Sequence, residues 1–192
     1  MSLLATASLV LRQLNNEGVS GCLVGGLAVS VYCDPRFTFD VDLAVAVRDD
    51  AEIESVIHSL SHVGLKPDAL VEQESVGRLA IARMIDGKGV SIDLLVASSG
   101  IEPEIVEASE MMEVISGISL PVARVGHLIA LKLLSTAPNR ETDAADLRNL
   151  AVIASDLEWQ RAADAVLLIE QRGFSRDRNL VDDLRVLRNR ST

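Results

Sequence analysis

The sequence predicts a mixed α/β (α+β) fold: a small mixed sheet flanked by helices, followed by a C-terminal helical subdomain. Three observations carry this. Thr38–Val47 (TFDVDLAVAV) is an apolar run with acids at alternate positions, the pattern of a strand. Arg78–Ile85 and Val90–Ala97 are strand-like runs joined by Asp86-Gly87-Lys88-Gly89, a strong hairpin signal. From Gly126 onward the pattern is helical throughout, which places the boundary there, with an α/β core at 1–125 and a helical subdomain at 126–192.

Taken in order, residues 3–16 read as an amphipathic helix stopped at Gly18. Val19–Val24 reads as a short buried strand. Gly25-Gly26 opens a short helix through Val31, closed by Asp34-Pro35, and the strand with the alternate acids follows. Asp49-Asp50 suits the start of a helix over 51–63 that ends at Gly64. After the hairpin, 102–110 is predicted helical, and one more short strand is expected around Leu120–Val122. Helices are predicted at 126–137, 142–155, 157–172 and 177–189, with breaks at Pro138, Asp156 and Gly173.

Composition narrows the function classes. The chain has 192 residues, enough for a sizeable core, and a formal charge of −10. That charge argues against nonspecific nucleic-acid binding through a generally basic surface, and no DNA partner is expected. Only 3% of residues are aromatic, which argues against aromatic platforms for base stacking. The charge is uneven: arginines 172, 176, 178, 185, 188 and 190 crowd the C-terminus, as either a solvated amphipathic helix or a phosphate- or partner-binding one. Cys22 and Cys33 are too few for a disulfide framework and are read as free thiols of a cytoplasmic protein. No apolar stretch is long enough to span a bilayer, and the N-terminus lacks the basic region of a signal peptide.

The residues able to do chemistry gather around Asp40-Val41-Asp42. In a strand their side chains share a face, about 6.6 Å apart at Cα for a rise of about 3.3 Å per residue. Two such carboxylates repel unless a cation sits between them, and a hard ion such as Mg²⁺ suits oxygen ligands beside phosphates. The alternative is a solvated strand face with two ordinary acids. Asp93, inside VSIDLLVA, is costly in an apolar strand unless paired or metal-bound. A neighbouring strand would set it beside Asp40 and Asp42, where three acids suffice for two divalent ions; alternatively it caps a turn or meets Arg78 or Arg83. Gly25-Gly26, after a strand and opening a helix, either presents backbone N–H groups to phosphate or is simply a tight turn. Neither G-x-G-x-x-G nor G-x-x-x-x-G-K-[ST] occurs.

Lys132 is one of three lysines and sits in HLIALKLLST, where a buried ammonium needs a triphosphate or carboxylate partner unless it snorkels from the helix edge. Asp143 and Asp146 share a helix face and also suit a helix N-terminus. Arg36 and Arg140 are each placed to bond phosphate or a local acid. His58 and His62 stand i, i+4 but lack the zinc-protease glutamate, so a surface helix explains them better.

In order, GG, R-x-T-x-D-x-D, a lone Asp in a later strand, LIALKL and R-x-x-D-x-x-DL resemble the nucleotidyltransferase superfamily, in particular its AbiEii/MenT-like branch, over about residues 20–150. Characterised members of that branch act as toxins of toxin–antitoxin pairs. The resemblance implies a nucleotidyltransferase-like fold with nucleotide in the cleft between core and helical subdomain. It implies that Gly25 and Gly26 hold the triphosphate and that Asp40, Asp42 and Asp93 bind Mg²⁺, with Asp93 near the attacking hydroxyl. Lys132 and Asp143, with Asp146, match the block that serves nucleotide binding and catalysis, and Arg36 and Thr38 match the positions before the paired acids. Thr142 departs from the basic residue the branch often carries there.

The expectation is therefore a Mg²⁺-dependent enzyme, with two ions, transferring NMP from an NTP to a hydroxyl, by resemblance the 3′ end of RNA and tRNA in particular, with a cognate antitoxin as partner. A small-molecule nucleotidyltransferase of the aminoglycoside type is the competing enzyme, since an acidic surface attracts a cationic acceptor. A catalytically silent nucleotide-binding module is the competitor outside enzymes, and retention of all three acids argues against it.

Overall fold

The computed structural model describes residues 3–74, 76–136 and 141–191. Its elements run α1 (Leu3–Asn16), β1 (Ser20–Val24), α2 (Gly25–Tyr32), β2 (Asp40–Ala46), α3 (Asp50–His62), β3 (Lys66–Gln73), β4 (Arg78–Ile85), β5 (Ser91–Leu95), α4 (Glu102–Glu107), β6 (Glu110–Ile115), β7 (Ile118–Val122), α5 (Val125–Ser135), α6 (Glu141–Ile153), α7 (Asp156–Gln171) and α8 (Leu180–Ser191). The seven strands form one mixed sheet in the order β3-β4-β5-β2-β1-β7-β6. The pairs β2/β5 and β1/β7 are parallel and the remaining pairs antiparallel.

Local chemistry fixes most of these elements. α1 buries Ala7, Val10, Leu11 and Leu14, a 3–4 spacing that makes one apolar stripe, and packs it on β1 and β2. α3 starts where Asp49 accepts a bond from the Glu52 N–H at 3.0 Å, with Asp50 and Glu52 adding negative charge to its first turn. The β4–β5 turn is held by Asp86, whose carboxylate accepts from the N–H groups of Lys88 and Val90. The N-terminus of α5 is capped across the fold, where Glu158 of α7 accepts from the Gly126 N–H at 2.7 Å. Gly126 permits that approach, since a Cβ there would lie 2.4 Å from the Glu158 carbonyl oxygen.

Two strands lie where none was expected. β3 (KPDALVEQ) is an edge strand with mostly exposed residues, two register shifts against β4 and a proline; its sequence lacks an apolar face because only one neighbour pairs with it. β6 (EMMEVI) pairs with β7 at the other edge, and the run predicted as a helix to residue 110 stops at Glu107 so that this hairpin can form. The break expected at Pro138 lies outside the described residues.

The apolar core runs without interruption from α1 through Leu23, Val41, Leu43, Ile92 and Leu94 of the central strands to Leu128, Ile129 and Ile169 of the C-terminal helices. α2 leans on β1 and β2 and meets α5 and α6.

Candidate active site

β2 and β5 run side by side in parallel, with Asp42 opposite Asp93 and Asp40 opposite Ser91. Register alone therefore brings three acids from distant parts of the sequence to one place. Asp40, Asp42 and Asp93 line a cleft of about 470 Å³ together with Gly25, Gly26, Arg36, Thr38, Lys132 and Asp143. Nine of the ten residues singled out from the sequence thus share one wall-to-wall site. The tenth, Asp146, is not among the lining residues; it is almost wholly buried and holds two of the others.

The chain crosses from β1 into α2 at Gly25, in the left-handed region at φ +63°. A Cβ there would fall 1.9 Å from Oδ2 of Asp42, so only glycine lets the strand acid lie against the turn. The Gly26 N–H donates to Asp42, which thereby serves α2 as a cap that Val24 cannot supply. A Cβ on Gly26 would come within 2.7 Å of Arg36, so the second glycine admits the guanidinium.

The cations of the cleft are held by acids behind them. Arg36 donates through Nε and Nη2 to both carboxylate oxygens of Asp146, each at 2.8 Å. Lys132 reaches Asp143 at 2.7 Å and Asp146 at 2.8 Å. The need of Lys132 for a partner is therefore met by two carboxylates of α6. Among the acids, Asp40 accepts a bond from Thr38 Oγ1 at 2.6 Å. Asp93 accepts two from Arg83, through Nε and Nη2, both at 2.7 Å. The pairing of Asp93 with an arginine, one of the alternatives open at the level of sequence, is the arrangement found.

Electrostatics single out Asp42. Burial, and then the charges of Asp40 and Asp93, push its carboxyl up to about 7, while Lys132 and the Gly26 N–H pull the other way without offsetting them. Asp42 and its face-sharing neighbour Asp40 both line the cleft, and paired carboxylates are the donor type a hard divalent cation takes. The expected set of three ligands is not ready-made: among the described residues no group of three or more His, Cys, Asp or Glu side chains is arranged to hold a metal ion. Asp93 is engaged elsewhere, since both of its oxygens accept from Arg83.

Arg83, Ser98, Ser135 and Arg176 also line the cleft and carried no site assignment from the sequence. Arg83 was visible only as a possible partner of Asp93. Arg176 sits in the turn before α8, at φ +56° and followed by Asp177 at +59°, a conformation that side-chain-bearing residues adopt rarely. Its Nη2 donates to the Ser98 carbonyl at 3.2 Å. The remaining C-terminal arginines largely bind the chain to itself, Arg172 to Glu104, Arg178 to Asp183 and Arg188 to Asp156. Phe37 and Phe39 stand almost fully exposed on either side of Thr38, so the scarcity of aromatics does not keep them from the surface next to the site. His58 and His62 touch each other on α3 and do not line the cleft. Cys22 and Cys33 are free, and burial pushes the Cys22 thiol up to about 12. Arg140 lies outside the described residues, and among those described no helix is long and apolar enough to cross a membrane.

The fold has solved counterparts. A nucleotidyltransferase-like antigenic protein from Paracoccidioides brasiliensis is similar at 15% identity and a TM-score of 0.55, covering 97% of this chain and 92% of that one. The lincosamide antibiotic adenylyltransferase LnuA, solved with lincomycin, is similar at 18% identity and a TM-score of 0.50, over 77% of this chain and 96% of that one. ANT(2″)-Ia, solved with adenylyl-2″-tobramycin, gives 11% identity and a TM-score of 0.50, over 100% and 97%. At such identities the likeness establishes the nucleotidyltransferase fold. No curated protein matched the chain by sequence. A single family model, however, matches residues 4–186, nearly the whole chain, and its span takes in both the strand acids and the helices that hold Lys132. The chain is accordingly an enzyme of the nucleotidyltransferase kind and belongs to the family described as nucleotidyl transferase of unknown function (DUF2204).

Proposed function

We propose that the protein transfers a nucleoside monophosphate from an NTP to a hydroxyl acceptor in a Mg²⁺-dependent reaction. The observation that carries this is the register of β2 and β5, which sets Asp42 opposite Asp93 beside Asp40 in a cleft whose other wall presents Lys132 and Arg36. The acceptor oxygen attacks the α-phosphorus, the bond to the bridging α–β oxygen breaks, pyrophosphate leaves, and the hydroxyl proton passes to a base or solvent. When bound, Mg²⁺ neutralises charge on the phosphates and on the acceptor oxygen.

The side chains supply position. Thr38 fixes the Asp40 carboxylate, and Asp40 with Asp42 would hold the ion. Asp146 and Asp143 fix Arg36 and Lys132, so two cations stand ready for the triphosphate without rearrangement at the moment of reaction. Gly25 and Gly26 line the cleft at the start of α2, where the triphosphate would lie.

Two acceptor classes follow from different observations. The R-x-x-D-x-x-DL block supports the AbiEii/MenT-like reading, with an RNA 3′ end, tRNA in particular, as acceptor and a toxin role opposed by an antitoxin. The net charge of −10 favours a small cationic acceptor instead, as with the antibiotic adenylyltransferases that share the fold. The deciding experiment incubates the protein with Mg²⁺ and each labelled NTP, offering total RNA in one arm and an aminoglycoside and lincosamide panel in the other. Label is expected to reach one acceptor class and to be lost by at least about 10³-fold in Asp42→Asn. Turnover unchanged in that variant would sink the metal assignment. Mg²⁺-dependent NTP binding with no transfer in either arm would leave a silent binding module. Growth on strong induction without an antitoxin would count against toxicity alone.

A further inference from the structure

Three carboxylates at one cleft suggest two divalent ions, yet the third carboxylate already has a cation. Arg83 of β4 lies directly across the antiparallel ladder from Asp93 of β5, in a register fixed by four further residue pairs. The contact is therefore set by the sheet and does not depend on two flexible side chains happening to meet. Both oxygens of Asp93 accept from Arg83, at 2.7 Å each, in the two-pronged geometry that makes arginine–carboxylate pairs specific as well as strong. Arg83 also lines the cleft, on the same side as Asp40 and Asp42. A guanidinium keeps its charge at every accessible pH, so acidity changes on the arginine side cannot release the pair.

We propose that Arg83 stands in for the second cation, so that the centre binds a single divalent ion, on Asp40 and Asp42, while Asp93 remains on the arginine. This rests on the nucleotidyltransferase reading above and refines it. A second ion on Asp93 would have to break two charge-assisted bonds and then sit beside the displaced guanidinium, with repulsion added to the lost attraction. Asp40 meets no such competitor, since it accepts from the neutral Thr38 hydroxyl, and Lys132, the nearby ammonium, is held by Asp143 and Asp146. Arg83 is then a positioning residue, holding Asp93 at the edge of the cleft and supplying fixed positive charge where a two-ion enzyme would place its other metal.

The test counts ions. Mn²⁺ bound per chain is measured by electron paramagnetic resonance, alone and with each of the four α,β-methylene nucleoside triphosphates, on the full chain. The wild type is expected to add one protein-bound Mn²⁺. Arg83→Gln, with a native circular-dichroism spectrum, is expected to add two, with spin coupling between ions about 3.5–4 Å apart. Asp93→Asn guards against an unfolded Arg83 variant. Its count stays at one and its Mn²⁺ affinity within about threefold of wild type if Asp93 is no ligand. Two ions in the wild type, or a fall from two to one in Asp93→Asn, would overturn the single-ion centre while leaving the transferase reading intact. An Arg83→Gln variant that folds and still binds one ion would overturn the role of Arg83. No Mn²⁺ or nucleotide binding in the wild type would overturn this proposal and the transferase mechanism together.

Discussion

Asp42 shows how a residue suited to a ligand makes the unliganded protein weaker. Its carboxyl titrates near 7 in the native state, against about 4 in an unfolded chain. Between those values the native protein holds a proton that the unfolded chain has released, so stability falls as pH rises through that window. The full linkage is about 4 kcal/mol, an upper bound. Asp42→Asn, which keeps an oxygen to accept from the Gly26 N–H, should therefore raise stability at neutral pH by about 1–3 kcal/mol while abolishing transfer. A lower melting midpoint by scanning calorimetry would contradict the burial-driven shift. Gly25→Ala should act the other way. Its Cβ would intrude on the Asp42 carboxylate and its φ is one that side-chain-bearing residues adopt rarely, so about 1–3 kcal/mol should be lost in urea unfolding, together with Mg²⁺-dependent activity. Gly25-Gly26 was legible in the sequence as a turn that opens a helix after a strand. That the first glycine is demanded by an acid in the next strand was not, because the clash exists only when β1 and β2 pair.

Among the elements, α6 organises the cleft without lining it at Asp146. One buried carboxylate ties Arg36, in the segment leading into β2, to Lys132 on α5. Removing it takes the carboxylate partner from Arg36 and leaves Lys132 with Asp143 alone, and Asp146→Ala should cost about 3 kcal/mol in denaturant unfolding. Where the variant still folds, KM for the NTP should rise more than kcat falls, because Arg36 and Lys132 lose orientation. An unchanged KM would mean that these cations do not meet nucleotide. The sequence placed Asp143 and Asp146 on one helix face, three residues apart. It could not say that one would face the cleft and the other its supporting wall, since that depends on how α6 rotates against α5. The edge strands β3 and β6 escaped prediction for a related reason: an edge strand needs no continuous apolar face, so periodicity carries little signal there.

For the molecule as a whole, two buried groups set opposing pH dependences. Burial, aided by Arg161, holds His127 of α5 down to about 4. The native state keeps it neutral while the unfolded chain takes up a proton below about 6.5, so its contribution to stability is lost as pH falls through that window. Asp42 loses stability over nearly the same window as pH rises. The two slopes nearly cancel, and the wild-type melting midpoint should be close to flat from about pH 4.5 to 6.5. In Asp42→Asn the histidine acts alone, and stability should rise with pH by up to about 1.4 kcal/mol per unit. Below about pH 4 both proteins should weaken as Asp146, Glu158 and Asp86, held low by hydrogen bonds and ion pairs, take up protons. A steep wild-type slope in the middle window, measured by thermal melts across buffers, would show that other groups dominate.

By itself the sequence determined the fold class, the order of most elements and the identity of the acids, and of Arg36 and Lys132 among the cations, that meet at the cleft. Those follow from local periodicity, turn chemistry and the cost of leaving a charge in an apolar run. Tertiary structure alone decided which charges neutralise which: Asp93 with Arg83, Asp146 with Arg36 and Lys132, Asp42 with no cation that balances it. Such pairings depend on strand register and helix rotation, and one step of register in a strand moves a side chain to the opposite face.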